Sequence, residues 1–188
     1  MMDHALWCTS RATGLVSLVL FTVVVVLGAA NVARFATGAW PRFVISAVHR
    51  NLSLLALTFI FVHVATSIID PYAGIGWLDA VIPFESVYKP FWLGLGAVAG
   101  DLLIAIIATS LLRLRIGLRW WRLVHWASYA CWPLALIHGL GTGGSDSTTG
   151  WVIVLNVACV AAVGLAVAWR LFAVHEDTRV RSGERIGP

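Results

Sequence analysis

Residues 43–69 of the chain read FVISAVHRNLSLLALTFIFVHVATSII, in which Arg50 is the one residue of fixed charge. Crossing about 30 Å of hydrocarbon takes about 20 helical residues, so this stretch is long enough to span a membrane. Stretches of similar length and apolarity predict four more helices, over residues 12–33, 91–112, 119–140 and 151–174. The sequence therefore predicts an all-α integral membrane protein, a bundle of five transmembrane helices.

The composition of the whole chain agrees with this prediction. Of its 188 residues, 60% are apolar and 12% are charged, and the mean hydropathy is +0.87. A soluble domain is nearer half apolar and a quarter charged. The excess of apolar residues argues against a soluble enzyme, a nucleic-acid-binding protein and a disordered chain. It also predicts that the protein is embedded in the lipid bilayer. The three cysteines form no CxxC pair and predict neither a disulfide nor a zinc site.

The distribution of basic residues predicts the orientation of the bundle. Eleven of the thirteen basic residues face the cytoplasm if the loop between spans 1 and 2, the loop between spans 3 and 4 and the C-terminal tail lie there. These eleven are Arg34, Arg42, Arg50, Arg113, Arg115, Arg119, Arg122, Arg170, Arg179, Arg181 and Arg185. Only Arg11 and Lys89 are then outside, which is a strong bias under the positive-inside rule.

This orientation divides the chain into three parts. We expect an extracytoplasmic N-terminal tail over residues 1–11, a membrane domain over 12–174 and a cytoplasmic tail over 175–188. A signal peptide over the first apolar run is the alternative, with Arg11 as its basic flank. The length of the apolar stretch and the poor cleavage site at residues 31–34 argue against a signal peptide.

Four histidines lie inside the predicted spans, two in span 2 and two in span 4. His49 and His63 are 14 residues apart, and His125 and His138 are 13 apart. At 1.5 Å per residue, each pair is separated by about 20 Å along its helix. Spans 2 and 4 run in the same direction, so His49 and His125 share a depth near the cytoplasm, while His63 and His138 share one near the outer face.

This arrangement predicts two haem b groups, an inner one between His49 and His125 and an outer one between His63 and His138. Neutral imidazole is a good axial ligand for haem iron, and facing helices can supply one on each side. A single membrane histidine is more simply explained by a hydrogen bond to a neighbouring helix. Four ionisable residues matched in depth are expensive in hydrocarbon and indicate a function.

The rotation along span 4 needs a correction for this pairing. Fourteen residues at about 100° each return within about 40° of the start, so His49 and His63 share a helix face. Thirteen residues leave His125 and His138 about 140° apart in an ideal helix. Because proline bends or rewinds a helix, Pro133 between them predicts a distortion there.

Three further kinds of residue have both a functional and a structural interpretation. Arg50 follows His49, and Arg122 lies one turn before His125, so both predict contacts to haem propionates. The alternative is that they are ordinary cytoplasmic anchors. For Asp101, in the middle of span 3, an interhelical hydrogen bond is favoured over a proton relay. Trp132 lies midway between the two histidine levels of span 4, and packing in the protein core is its favoured role.

The histidine pattern resembles the ferric reductase-like transmembrane domain superfamily, which includes ferric reductases and NADPH oxidases. The resemblance rests on the spacing His-x13-His in one helix and His-x12-His two helices later. The local stretches WRLVHWASY (121–129) and ALIHG (135–139) also fit. The resemblance covers about residues 12–174, and cytochrome b of the quinol-oxidising complexes uses a similar four-histidine plan.

The resemblance implies a diheme b-type membrane cytochrome that passes electrons from a cytoplasmic donor to an extracytoplasmic acceptor, as the electron-transfer subunit of an oxidoreductase. The family's usual core has six helices, against five predicted here. Many members continue into a flavin and nicotinamide domain, but no Gly-rich dinucleotide fingerprint occurs in this sequence. The implied donor is therefore a separate flavoprotein or quinol.

Two other functions are open at this stage. One is a haem-bearing membrane anchor that exchanges electrons between quinol and a partner redox enzyme. The other is a scaffold or transporter without haem. Twelve arginines to one lysine and no organelle signal favour a multi-pass protein of the cell membrane, the bacterial plasma membrane in particular.

Overall fold

The computed structural model describes residues 2–33, 35, 37, 40–72 and 74–183, and within these ranges it describes the side chains from residue 5 to residue 172. This part of the chain contains helices and turns and no strand. The helices are α1 (Met2–Val32), α2 (Arg42–Ile69), α3 (Pro90–Leu111), α4 (Arg113–Ile116), α5 (Leu118–His125), α6 (Ser128–Thr142) and α7 (Gly150–Gly183), with a 3-10 helix at Gly144–Thr148. The all-α prediction is confirmed for these residues.

Four helices of the described residues are long and apolar enough to cross a membrane. They are Ala5–Val32, Arg42–Ile69, Pro90–Leu111 and Gly150–Phe172. These ranges correspond to the first, second, third and fifth predicted spans. The fourth predicted span, 119–140, is not one helix but α5 and α6, which are separated by a turn at Trp126 and Ala127. A count of five continuous membrane helices is therefore not confirmed.

The two predicted tails differ in how much of them is described. Helix α1 already begins at Met2, so the predicted N-terminal tail continues into the first span without a break. Helix α7 continues to Gly183, and residues 184–188 of the predicted C-terminal tail lie outside the described residues. The side chains of Arg34, Arg179, Arg181 and Arg185 also lie outside them.

The interruption between α5 and α6 is a tightening of the helix. Backbone N–H groups donate to carbonyls three residues earlier, from Ala127 to Val124 (2.9 Å) and from Ala130 to Ala127 (3.0 Å). Such 3-10 turns hold about three residues per turn, which adds about 20° of rotation per residue over an α-helix. Each residue that adopts this geometry between His125 and His138 therefore reduces the angular mismatch between the two histidines.

Pro133 lies one turn beyond the interruption, inside α6. It has no N–H to donate to the carbonyl of Tyr129 four residues earlier, and its ring would clash with that carbonyl in a regular helix. The backbone relieves this conflict by tightening on the N-terminal side of the proline. Between α4 and α5, Gly117 has a φ of 82°, a conformation that glycine adopts without steric cost.

The helices form two closely packed pairs, α1 with α2 and α3 with α6, and α7 lies against α1. Residues from α1, α3, α6 and α7 meet in one apolar core. Its buried members are Leu18, Phe21, Val24, Val25, Ala99, Ile106, Cys131, Trp132, Leu136, Cys159 and Val163. Outward-facing apolar side chains such as Phe61, 72% exposed, provide the surface for lipid.

Candidate functional site

The four histidines of the membrane helices meet in two pairs. In the inner pair the rings of His49 on α2 and His125 on α5 have centroids 6.4 Å apart. In the outer pair His63 on α2 and His138 on α6 have centroids 6.3 Å apart. The structure thus brings together the same partners that the sequence spacing predicts, and both pairs have nearly the same separation.

Three of the four rings are oriented by a backbone carbonyl of a neighbouring helix. The Nδ1 atom lies 3.0 Å from the Val24 oxygen in His49 and 2.8 Å from the Ser10 oxygen in His63. In His138 the same atom lies 2.9 Å from the Trp92 oxygen. Because a carbonyl can only accept, Nδ1 carries the proton in each case.

A protonated Nδ1 leaves Nε2 as the nitrogen with a free lone pair. The Nε2 atoms of the four rings form no hydrogen bond with any described residue, so they remain available to a ligand that binds between the rings. His125 differs from the others because its Nδ1 is buried and finds no partner among the described residues.

A glycine stands four residues after each of the three accepting carbonyls. These glycines are Gly14, Gly28 and Gly96. A Cβ atom at Gly14 would lie 3.0 Å from the His63 ring, and one at Gly28 would lie 3.5 Å from the His49 ring. In a helix the residue at i+4 covers the carbonyl of residue i. Glycine at that position lets the imidazole approach the carbonyl.

These glycines and carbonyls were not identified from the sequence, although a signal for two of them is present. Ser10 and Val24 are 14 residues apart, as are Gly14 and Gly28. This interval equals the spacing of the two histidines on α2. A search for helices that repeat the histidine interval in glycine finds two, α1 with Gly14 and Gly28 and α7 with Gly150 and Gly164. The structure shows that α1 is the one that packs against α2.

A cavity of about 290 Å³ lies beside the outer pair and is lined by both His63 and His138. Arg11 also lines it, donates to the Thr142 carbonyl (3.0 Å) and lies 3.9 Å from the Asp146 carboxylate. The sequence predicts Arg11 outside the cytoplasm or, in the alternative, at the flank of a signal peptide, and in neither case as part of a site. In the structure it belongs to the surroundings of the outer histidine pair.

Arg50 and Arg122, the two predicted anion-binding residues, have exposed side chains. Within the described part of the chain, neither forms a hydrogen bond or an ion pair with another residue. Their guanidinium groups are therefore free to contact an anion at the inner level. The structure does not bring a protein carboxylate to either of them.

The remaining two candidates, Trp132 and Asp101, do not contact the histidine pairs through any hydrogen bond among the described residues. Trp132 is buried in the core and donates its Nε1–H to the hydroxyl of Thr22 (3.0 Å), which agrees with the favoured packing role. Asp101 is half-buried on α3, and its carboxyl forms no hydrogen bond with a described residue. The interhelical hydrogen bond expected of Asp101 is therefore absent from this part of the chain.

The close approach of His138 to α3 predicts a specific sensitivity to a methyl group. Gly96→Ala places a Cβ against the His138 ring, whereas Gly100→Ala, one turn later, places one in open space. We expect Gly96→Ala to lower the free energy of unfolding by about 1–3 kcal/mol. Gly100→Ala should be neutral or stabilising. Reversible unfolding in mixed detergent micelles measures both values, and equal stabilities would contradict the placement of His138.

Comparison with known proteins bears on the same residues. The family model described as "Ferric reductase like transmembrane component" matches residues 13–136, about two thirds of the chain. No curated protein and no solved structure gives a match. The matched segment holds α2 with His49 and His63, and α5 with His125. The chain belongs to the family of ferric reductase-like transmembrane components.

Proposed function

We propose that the chain is a diheme b-type cytochrome that carries electrons across the membrane from a cytoplasmic donor to an extracytoplasmic acceptor. The observation that carries this proposal is the meeting of four histidines in two pairs, with no hydrogen bond to Nε2 from a described residue in any ring. Membership of the ferric reductase-like family supports electron transfer across a membrane as the general activity. Haem would supply the one-electron chemistry, since its iron alternates between ferric and ferrous states.

The donor set at each level suits haem better than a metal ion held by protein alone. Among the described residues, no group of three or more His, Cys, Asp or Glu side chains could hold a metal ion. Two imidazoles are what a six-coordinate haem iron requires. With nitrogen–metal bonds of about 2 Å, as in other histidine sites, two facing rings have centroids about 6 Å apart. Both observed separations agree with this value.

Within this proposal the protein residues have distinct tasks. His49 and His125 hold the inner group, and His63 and His138 hold the outer one. The carbonyls of α1 and α3 fix the tautomer and raise the basicity of the ligands that they orient. Arg50 and Arg122 bind the carboxylates of the inner group through their free guanidinium groups.

We infer that α5 and α6 together form a fifth crossing. A crossing at this point places α2 and α6 in the same direction, so that the histidine pairs can match in depth. It also keeps the positive-inside orientation, with the N-terminus outside and the C-terminal tail in the cytoplasm. A flavoprotein or quinol would then donate at the His49 level, and the acceptor would approach from the His63 level.

The first prediction of the proposed function concerns haem stoichiometry. Purified protein should contain two haem b groups per chain, as measured by pyridine haemochrome. Each single substitution to Ala, at His49, His63, His125 or His138, should remove one haem. His175→Ala is the control, because the sequence places this histidine beyond the spans. Absence of haem from the wild-type protein would reject the proposed function.

A second prediction concerns Arg122. Arg122→Ala should lower the reduction potential of the inner haem or reduce its occupancy, because a nearby positive charge favours the reduced iron. Arg115→Ala removes an exposed arginine of α4 and serves as the control. A redox titration followed by optical spectroscopy measures the potentials. Identical titrations for wild type and Arg122→Ala would remove the propionate-binding role.

A third prediction concerns orientation. Alkaline phosphatase is active only outside the cytoplasm, so a fusion after residue 188 should be inactive. A fusion truncated after residue 144, following the crossing formed by α5 and α6, should be active. The reverse pattern would mean that the bundle is inverted, and activity of both fusions would mean that the number of crossings is wrong.

A further inference from the structure

The three oriented histidines share one structural rule, which the fourth histidine breaks. On α1 the rule pairs a carbonyl with a glycine four residues later, at Ser10 with Gly14 and at Val24 with Gly28. On α3 the same rule places His138 against Trp92 and Gly96. On α1 the two sets are 14 residues apart, which is the distance between the two histidine levels.

Fourteen residues after Trp92 and Gly96 on α3 stand Ile106 and Ser110. Helix α3 packs against α5, which carries His125, so this is where the fourth carbonyl and glycine would be expected. A serine occupies the glycine position. Its hydroxyl donates to the Ile106 carbonyl (2.6 Å). The Thr109 hydroxyl also lies 3.1 Å from this carbonyl, but Thr13 has the same contact with the Ser10 carbonyl, which still binds His63.

Trp121 contacts both Ser110 and His125. Its Nε1–H donates to the hydroxyl of Ser110 (3.2 Å), and its ring packs against the His125 ring with centroids 5.0 Å apart. What distinguishes the Ile106 carbonyl from the other three is therefore the Ser110 side chain, which lies over it at the glycine position and also binds Trp121. The Nδ1 of His125 is left buried without a partner among the described residues.

We propose that Ser110 and Trp121 are positioning residues that deny His125 a backbone acceptor and thereby raise the reduction potential of the inner level. This inference rests on the proposed haem ligation. An N–H acceptor makes an imidazole a more basic ligand, and a more basic ligand favours ferric iron. His125, which lacks the acceptor, is the weaker ligand of the inner pair, while His49 has the acceptor that His125 is denied.

The central experiment replaces Ser110 with the glycine found at the three other sites. Ser110→Gly removes both the competing hydroxyl and the Cβ that covers the Ile106 carbonyl, so that His125 can donate to it. We expect the inner midpoint potential to fall and the low-spin ferric EPR signal of that haem to shift. The outer midpoint should not move. The inner midpoint is identified as the one that disappears in His125→Ala.

Ser110→Ala is the matched control, because it removes the hydroxyl but keeps the Cβ. If glycine is needed for access, the alanine variant should shift the inner midpoint less than the glycine variant. Equal shifts would assign the whole effect to the hydroxyl and would overturn the role of the Cβ. An unchanged inner midpoint in Ser110→Gly, with two haems bound, would overturn the proposal.

A reciprocal variant tests the same rule if Ser110→Gly fails to fold. Gly28→Ser adds a hydroxyl that competes for the Val24 carbonyl, and its Cβ would lie 3.5 Å from the His49 ring, an ordinary contact. The inner midpoint should rise in this variant. No rise, or a fall, would overturn the proposal. A wild-type chain without haem would instead reject the proposed function, so the two failures are distinguishable.

Discussion

An imidazole placed in hydrocarbon is stabilised by an acceptor for its ring N–H, because the bilayer core contains no water to serve as one. Three of the four histidines have such an acceptor in a neighbouring helix. This preference accounts for the pairing of the helices. The two most closely packed pairs, α1 with α2 and α3 with α6, are those in which one helix supplies the histidine and the other supplies the carbonyl. Glycine in the accepting helix allows the close approach, so the histidine contacts and the packing have the same origin.

Helix α1 has the largest share in this arrangement. It supplies carbonyls and glycines to both levels and contributes four residues to the apolar core. Four of its hydroxyl groups donate to carbonyls within the helix, as in the bonds from Ser17 to Thr13 and from Thr22 to Leu18. At the outer level the hydroxyl of Ser10 also bonds that of Ser67, which fixes α1 against α2 beside His63.

The depth of the histidines could be predicted from the sequence, because spacing along a helix determines height with little ambiguity. The rotation of His138 could not. It depends on how many residues around Ala127 adopt 3-10 geometry, and Pro133 signals a distortion without giving its size. The same local event divides the fourth predicted span into two helices. The role of α1 was also missed, because its glycines have meaning only once the helix facing them is known.

The two histidine pairs have nearly the same ring separation but differ in the charged residues around them. At the outer level the guanidinium of Arg11 is engaged by the Thr142 carbonyl and lies close to Asp146. At the inner level Arg50 and Arg122 have no such partner among the described residues. Free positive charge favours reduced iron, and so does a ligand without an N–H acceptor. If haem binds as proposed, both effects would act at the inner level and in the same direction, so two histidine pairs of the same kind would serve two levels of different potential.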